Sequence, residues 1–196
     1  MRSTLDKLIS GAGLLLVAVL LVAGGLLTWA HVFIDDQVHD QLAMQGITMP
    51  ARADLETQAQ HDALDKYAGQ QMLTGPQAKA FADHYILVHM NAASEGKTYE
   101  QVSGEYIALS DAAKAGSEGQ ALGQLRQTLF MGDTLRGLLL YGYAFATMGA
   151  IALYAAIACF AGAALFLVLS LLGIRHARRA ADAVDAGSPR GVPITV

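Results

Sequence analysis

His31, Asp35 and His39 stand four residues apart, with Asp36 and Asp40 beside them, so on a helix the first three share one face. Imidazole and carboxylate at that spacing are the donor types of a zinc or copper site. Three ligands along one straight helix spread over about 12 Å, however, so a single ion cannot take all three. Two of them with a third donor from His61, His84 or His89 would make a site. A solvated polar helix face at the edge of an apolar run explains the same residues, and it is the reading adopted here. His84 and His89 require nothing beyond exposure to solvent, and Tyr85, Tyr99 and Tyr106 read as core or interface anchors. The one cysteine, Cys159, falls inside an apolar run. No glycine-rich loop follows a strand, and no serine sits in a nucleophile elbow. The basic residues are few and scattered, which argues against nucleic acid as a partner. The sequence therefore assigns no catalytic, cofactor-binding or metal-ligating residue and implies no cofactor.

The elements that must carry these residues are set by two apolar runs. Residues 8–34 contain no Asp, Glu, Lys or Arg, and neither do residues 137–174. A bilayer core about 30 Å thick takes ~20 apolar residues of helix, so each run is long enough to span it. Arg2 and Lys7 precede the first run; Arg175, His176, Arg178 and Arg179 follow the second. The positive-inside rule then places both termini in the cytoplasm of a plasma-membrane protein. The segment between the runs lies outside, with seven bases against fourteen acids, a formal charge of −7. A cleaved signal peptide is the competing reading of the first run. Its apolar core is much longer than the ~7–15 residues of a signal sequence, and the one plausible cleavage site, Thr28-Trp29-Ala30, carries a bulky Trp. The expected organisation is a cytoplasmic N-terminus (1–7), a first transmembrane helix (8–33), an extracytoplasmic helical domain (34–136), a long apolar helix containing the second transmembrane span (137–174), and a basic, disordered cytoplasmic tail (175–196). The basic cluster would lie against anionic lipid headgroups.

The fold class expected is all-α, since no segment alternates as a strand does. The first helix should continue past Trp29, an interfacial aromatic, until Gly46 and Pro50 break it. Residues 51–67 read as one helix ending at Gly69. Thr74-Gly75-Pro76 is a helix start, with a capping hydroxyl and a proline in the first turn. The helix it opens should bury Phe81, Tyr85, Val88 and Ala92 on one stripe and stop at Gly96. Thr98 to Gln101 is a capping box, and Ser117 to Gln120 reads as another.

The second apolar run is the most informative feature. Counting back from Arg175 places the outer membrane face near Ala152 to Tyr154, which leaves residues 137–151 standing about 22 Å above it. That stretch, Leu138 to Met148 above all, cannot stand bare in water. Within the span, Ala155, Cys159 and Ala163 form one ridge of small residues, and Ala158 with Gly162 another. Gly11, Gly13, Gly24 and Gly25 answer on the first span. Such ridges let membrane helices approach closely. They serve either the pairing of the two spans or a partner subunit.

Gln41-Leu42 with Ile47-Thr48, Tyr67-Ala68-Gly69-Gln70, the run from Thr74 through Pro76 and Phe81 to Asp83, and Gly96-Lys97-Thr98-Tyr99-Glu100 recur in order and spacing in a known group. On these, nearly the whole chain resembles a family of actinobacterial two-span membrane proteins of unknown function, many of which carry the label aromatic ring-opening dioxygenase. The resemblance implies two spans and a small helical exterior domain, and no reaction. The label itself fails on chemistry: a non-haem iron oxygenase needs two histidines and a carboxylate converging in a pocket that also holds its substrate. The chain is similar in kind to accessory subunits of actinobacterial respiratory supercomplexes.

The expected function is accordingly that of a non-catalytic accessory subunit of a plasma-membrane complex, respiratory by that likeness. Its partners would be membrane lipids and other membrane subunits, met through Ala155, Cys159, Ala163 and the stretch Leu138 to Met148. An extracytoplasmic sensor acting through a separate partner, and a metal-handling protein at the outer membrane face, are the alternatives.

Overall fold

The computed structural model describes residues 2–187. Seven α-helices follow in order: α1 (Arg2–Met44), α2 (Gln58–Leu64), α3 (Gly75–Phe81), α4 (Leu87–Ser94), α5 (Tyr99–Ala108), α6 (Asp111–Ala115) and α7 (Ser117–Gly187). Among the described residues there is no strand, only an isolated antiparallel bridge between Thr48 and Gln71. Two helices are long and apolar enough to cross a membrane. The chain divides into two compact units. One comprises the described residues of Met1–His31 and Ile151–Val196; the other, the central unit, is Val32–Ala150. Helix α7 runs through residues 175–187, where a disordered tail was expected. Four alanines between 180 and 186 favour helix, and Gly187 is the first strong breaker. The rest of that expected tail, 188–196, lies outside the described residues.

In the first unit the two helices pair through a seam with a period of seven. Ser10, Val17 and Gly24 are buried on α1; Ala156, Ala163, Ser170 and Ala177 are buried on α7. A seven-residue repeat keeps one narrow face of each helix turned to its partner and gives left-handed packing. As residue number rises along α1 it falls along α7: Ser10 meets Gly173, Gly13 meets Ser170, Leu20 meets Gly162 and Gly24 meets the Phe160 ring. A Cβ on Gly13 or Gly173 would overlap the serine hydroxyl opposite. The glycines are thus what allows the backbones to come this close. Gly11 and Gly25 face open space and take no part. Only 17% and 11% of the most apolar windows of the two helices are buried within the chain.

The central unit is built by short helices with strong start signals. Thr57, Thr74 and Thr98 each accept a hydrogen bond from the backbone N–H three residues on, at 3.2, 3.4 and 3.3 Å. Gln60, Gln77 and Gln101 return the bond to the threonine N–H at 3.0, 3.0 and 2.8 Å. Each Thr–Gln box satisfies orphan donors at a helix start, and such a hydroxyl contributes about 1 kcal/mol. The box at Thr57 splits the single helix expected over residues 51–67 into a 3₁₀ turn at Arg52–Asp54, helix α2, and another 3₁₀ turn at Asp65–Tyr67. The box expected at Ser117 does not form. The Gly116 carbonyl takes the Gln120 N–H at 3.0 Å, and the Gln120 amide turns back to the Ala115 carbonyl at 3.0 Å. Glycine serves as the cap, which costs little against serine.

A second difference lies after α3. Residues Ala82–Ile86 form a π turn, one residue wider than an α turn. It shifts the helical register: Gly75, Gln77, Ala78, Phe81 and Ala82 are buried up to its start, Met90 and Ser94 beyond it, while Ala92 is exposed. Phe81 and Tyr85 stack at 4.9 Å, and the His89 ring meets Tyr85 tilted, at 4.3 Å. The main core gathers Val38 and Leu42 from α1, Met49, Leu55, Leu64, Met72, Phe81 and, from α7, Leu139. A smaller one holds Met90, Val102 and Leu129. Gly75 lets the start of α3 lie on α7, since a Cβ there would overlap Ala146.

Replacing Gly13 by Leu should lower unfolding stability in detergent by about 1–3 kcal/mol through overpacking against Ser170. Gly11→Leu, in open space, should leave it unchanged. Thermal unfolding of both variants followed by circular dichroism checks the pair.

Candidate functional site

The stretch 137–150 of α7 is divided by helical geometry into two faces. Leu139 points inward and is 1% exposed in the core. Leu138, Tyr141, Phe145 and Met148 follow at spacings of three, four and three, which places them on one stripe. Each is more than half exposed. Leu138, Tyr141 and Phe145 form one wall of a groove of about 380 Å³; Phe33, Ile34, Val38 and Leu42 of α1 form the other. Gln37, Gln41 and Gln45, one turn apart on α1, rim it with amides. The groove holds no charged side chain. It can bury apolar groups and exchange hydrogen bonds at its edge, and it carries no acid or base for a reaction.

Beside it an ion cluster ties the π turn to α7. Asp83 receives Lys79, one turn earlier, and Arg136 Nη2 at 2.9 Å. Partial burial pulls the Asp83 carboxyl upward, but the hydrogen bonds and charges of Lys79 and Arg136 together outweigh it. Its pKa sits below the usual carboxylate range. Arg136 Nε and Gln60 Nε2 are buried without a hydrogen-bond partner among the described residues. At the surface, Lys97 is paired with Glu105 at 2.8 Å, which raises the lysine pKa.

Three of the histidines weighed as ligands, His39, His61 and His89, go to separate local partners. His39 Nδ1 lies 3.3 Å from Asp40, and His61 Nδ1 3.0 Å from Asp65. His89 Nδ1 lies 2.7 Å from the Tyr85 carbonyl, which can only accept, so that nitrogen carries the proton. Among the described residues no three His, Cys, Asp or Glu side chains are grouped as a metal site. Of the small-residue ridge, Ala163 is buried in the α1–α7 seam, whereas Ala155 and Cys159 are half-buried. The Asp83–Arg136 pair spans 53 residues and carries no sequence signal. The groove was half legible, since its α7 wall is the apolar stretch singled out from the sequence.

Comparison of the chain with protein-family models, curated proteins and solved structures finds no match.

Asp83→Ala should destabilise the protein by about 1–3 kcal/mol at neutral pH, because two cations lose their partner. A lowered folded pKa means this contribution is complete above about pH 4, the unfolded value, and is lost as pH falls through the folded one. Urea unfolding of wild type and variant between pH 7 and 3 should show their difference shrinking toward the acid end.

Proposed function

We propose that this chain is a two-pass plasma-membrane protein that serves as a non-catalytic accessory subunit of a larger membrane complex. Helices α1 and α7 cross the bilayer as an antiparallel pair, and both termini lie in the cytoplasm. The cations at 2, 7, 175, 178 and 179 support that orientation. The outward apolar surface of the pair, Leu15, Val22, Leu26, Leu165 and Leu172 among it, then meets lipid.

One observation carries the subunit reading: the exposed stripe Leu138, Tyr141, Phe145 and Met148 on the central unit. Each is a little over half exposed, so leaving the four in water rather than burying them costs about 4–7 kcal/mol in total, from ~1.5–3 kcal/mol for a wholly exposed side chain. That is comparable with the whole stability of a small domain. A partner subunit packed along the stripe and into the groove removes the cost. The uncharged groove fits an apolar partner helix, whose side chains would fill it between the glutamine amides. The sequence resemblance to actinobacterial two-span proteins makes a respiratory complex the assembly to look for first.

The full-length tagged chain, extracted from its own membranes in mild detergent, should bring down a membrane complex in stoichiometric amount, identified by mass spectrometry against an untagged control. Tyr141→Glu with Phe145→Glu changes only exposed side chains and should abolish that recovery while the helix content stays unchanged. Recovery of the chain alone, or equal recovery with the double variant, would overturn the proposal.

A further inference from the structure

The central unit has seven cations and fourteen carboxylates, so most of its cations should find an acid. Arg52, Lys79, Lys97 and Arg136 do, within 4 Å. Lys66 lies over the ring of its neighbour Tyr67 at 4.8 Å. The remaining two, Lys114 and Arg126, have no carboxylate within 4 Å among the described residues. They converge instead on one ring. Lys114 Nζ is 5.7 Å and the Arg126 guanidinium carbon 5.5 Å from the centre of Tyr106. Two like charges repel, and nothing in an acid-rich unit compels them to share a site.

The convergence is built by the backbone. Gly119 lies so close to α6 that a Cβ would come 2.7 Å from Lys114 Cα, and a Cβ on Gly123 would come 3.0 Å from the Tyr106 ring. These two glycines, one turn apart on α7, seat both α6 and Tyr106 against that helix. Arg126 is held from behind: its Nε donates to Ser103 Oγ at 3.0 Å, and its guanidinium also lies 6.0 Å from the Tyr99 ring. A fixed guanidinium loses little freedom when it takes an anion through its two terminal amino groups. Tyr106, Lys114 and Arg126 line a shallow cleft of about 400 Å³ with Gln120, Gln124 and Gln127, and no acid lines it. The three glutamines fall on one face of α7, at spacings of four and three. Asp111 and Glu118, near in sequence, stay out of the lining.

We propose that this cleft binds an acidic saccharide, a sugar carrying a carboxylate or a phosphate. Arg126 takes the anion in its planar fork, with Lys114 as a second charge. A glutamine amide both donates and accepts, as a sugar hydroxyl does, so Gln124 and Gln127 match the ring's hydroxyls, and Gln120, whose amide nitrogen goes to the Ala115 carbonyl, offers its oxygen as an acceptor. The ordinary role of Arg126, tying α5 to α7 through Ser103, accounts for its Nε but not for Lys114 beside it or for the acid-free lining. None of these residues belongs to the apolar groove, so the site stands apart from the subunit reading.

The test is calorimetric titration of the full-length protein in detergent micelles with trigalacturonate, glucose 6-phosphate, the neutral maltotriose and inorganic phosphate. Saturable binding of at least one acidic sugar is expected, with maltotriose and inorganic phosphate each at least roughly tenfold weaker. Lys114→Gln and Arg126→Gln should each weaken the acidic sugar by roughly tenfold or more, the loss expected for a hydrogen bond to a charged group. Lys114→Gln removes no fold contact beyond its approach to Tyr106 and guards against misfolding of the arginine variant. No saturation by either acidic sugar, inorganic phosphate binding equally well, or undiminished binding in Lys114→Gln would each overturn the proposal.

Discussion

Helix α7 holds thirty-eight consecutive residues without a charge, almost twice what a bilayer-spanning helix of ~20 residues requires. Water offers no favourable place for the remainder, so the rest of the chain has to be arranged around covering it. One face of the excess is covered from within: Leu139 is nearly inaccessible, and α1, α2 and α3 supply the side chains that make it so, while α4 and α5 cover Leu129 one stretch earlier on the same helix. The central unit is in that sense a sleeve for α7. The opposite face is left with Leu138, Tyr141, Phe145 and Met148 in the open, and the proposed partner is the means of completing the burial.

The two ends of the same helix meet their neighbours by different physics. Along residues 151–177 the buried positions are small, Ala156, Ala163, Ser170 and Ala177 against Ser10, Val17 and Gly24, and where a large side chain enters the seam, Leu20 or Phe160, a glycine faces it. Most of the large side chains there point outward, where an apolar solvent would cost nothing and close packing of the two helices supplies the attraction. Within residues 117–150 the pattern reverses, with large side chains such as Leu129 and Leu139 turned in and close crossings at Gly119 and Gly132. That reversal along one uninterrupted helix is what two different solvents would demand.

The central unit has little apolar material of its own, and its order depends on local hydrogen bonding to a matching degree. Three Thr–Gln boxes start three helices, the bridge at Thr48 and Gln71 clamps two loops, and the Asp83 cluster fastens the π turn to α7. The π turn is the least expected of these. By inserting one residue into the register it brings Asp83 within reach of Arg136 and at the same time puts the rings of Phe81, Tyr85 and His89 in a row.

What the sequence determined by itself was everything governed by composition and by near neighbours along the chain. The two apolar helices, the all-α class, the break at Gly46, the starts at Thr74 and Thr98 and the surplus of apolar residues at 137–150 follow from hydropathy, capping hydroxyls and the special backbone of glycine and proline. The same rules misread residues 51–67 and Ser117, because a Thr–Gln pair was overlooked in one and glycine took the cap in the other. Only the tertiary structure decided which glycines face a partner helix and which face open space, that the stripe after Pro76 shifts by a residue, that Asp83 meets Arg136 across 53 residues, and that Lys114 and Arg126 share Tyr106. Those outcomes depend on the distance between groups far apart in the chain. Such distances are set by how helices pack, and the identity of a residue and its immediate neighbours does not encode them one at a time.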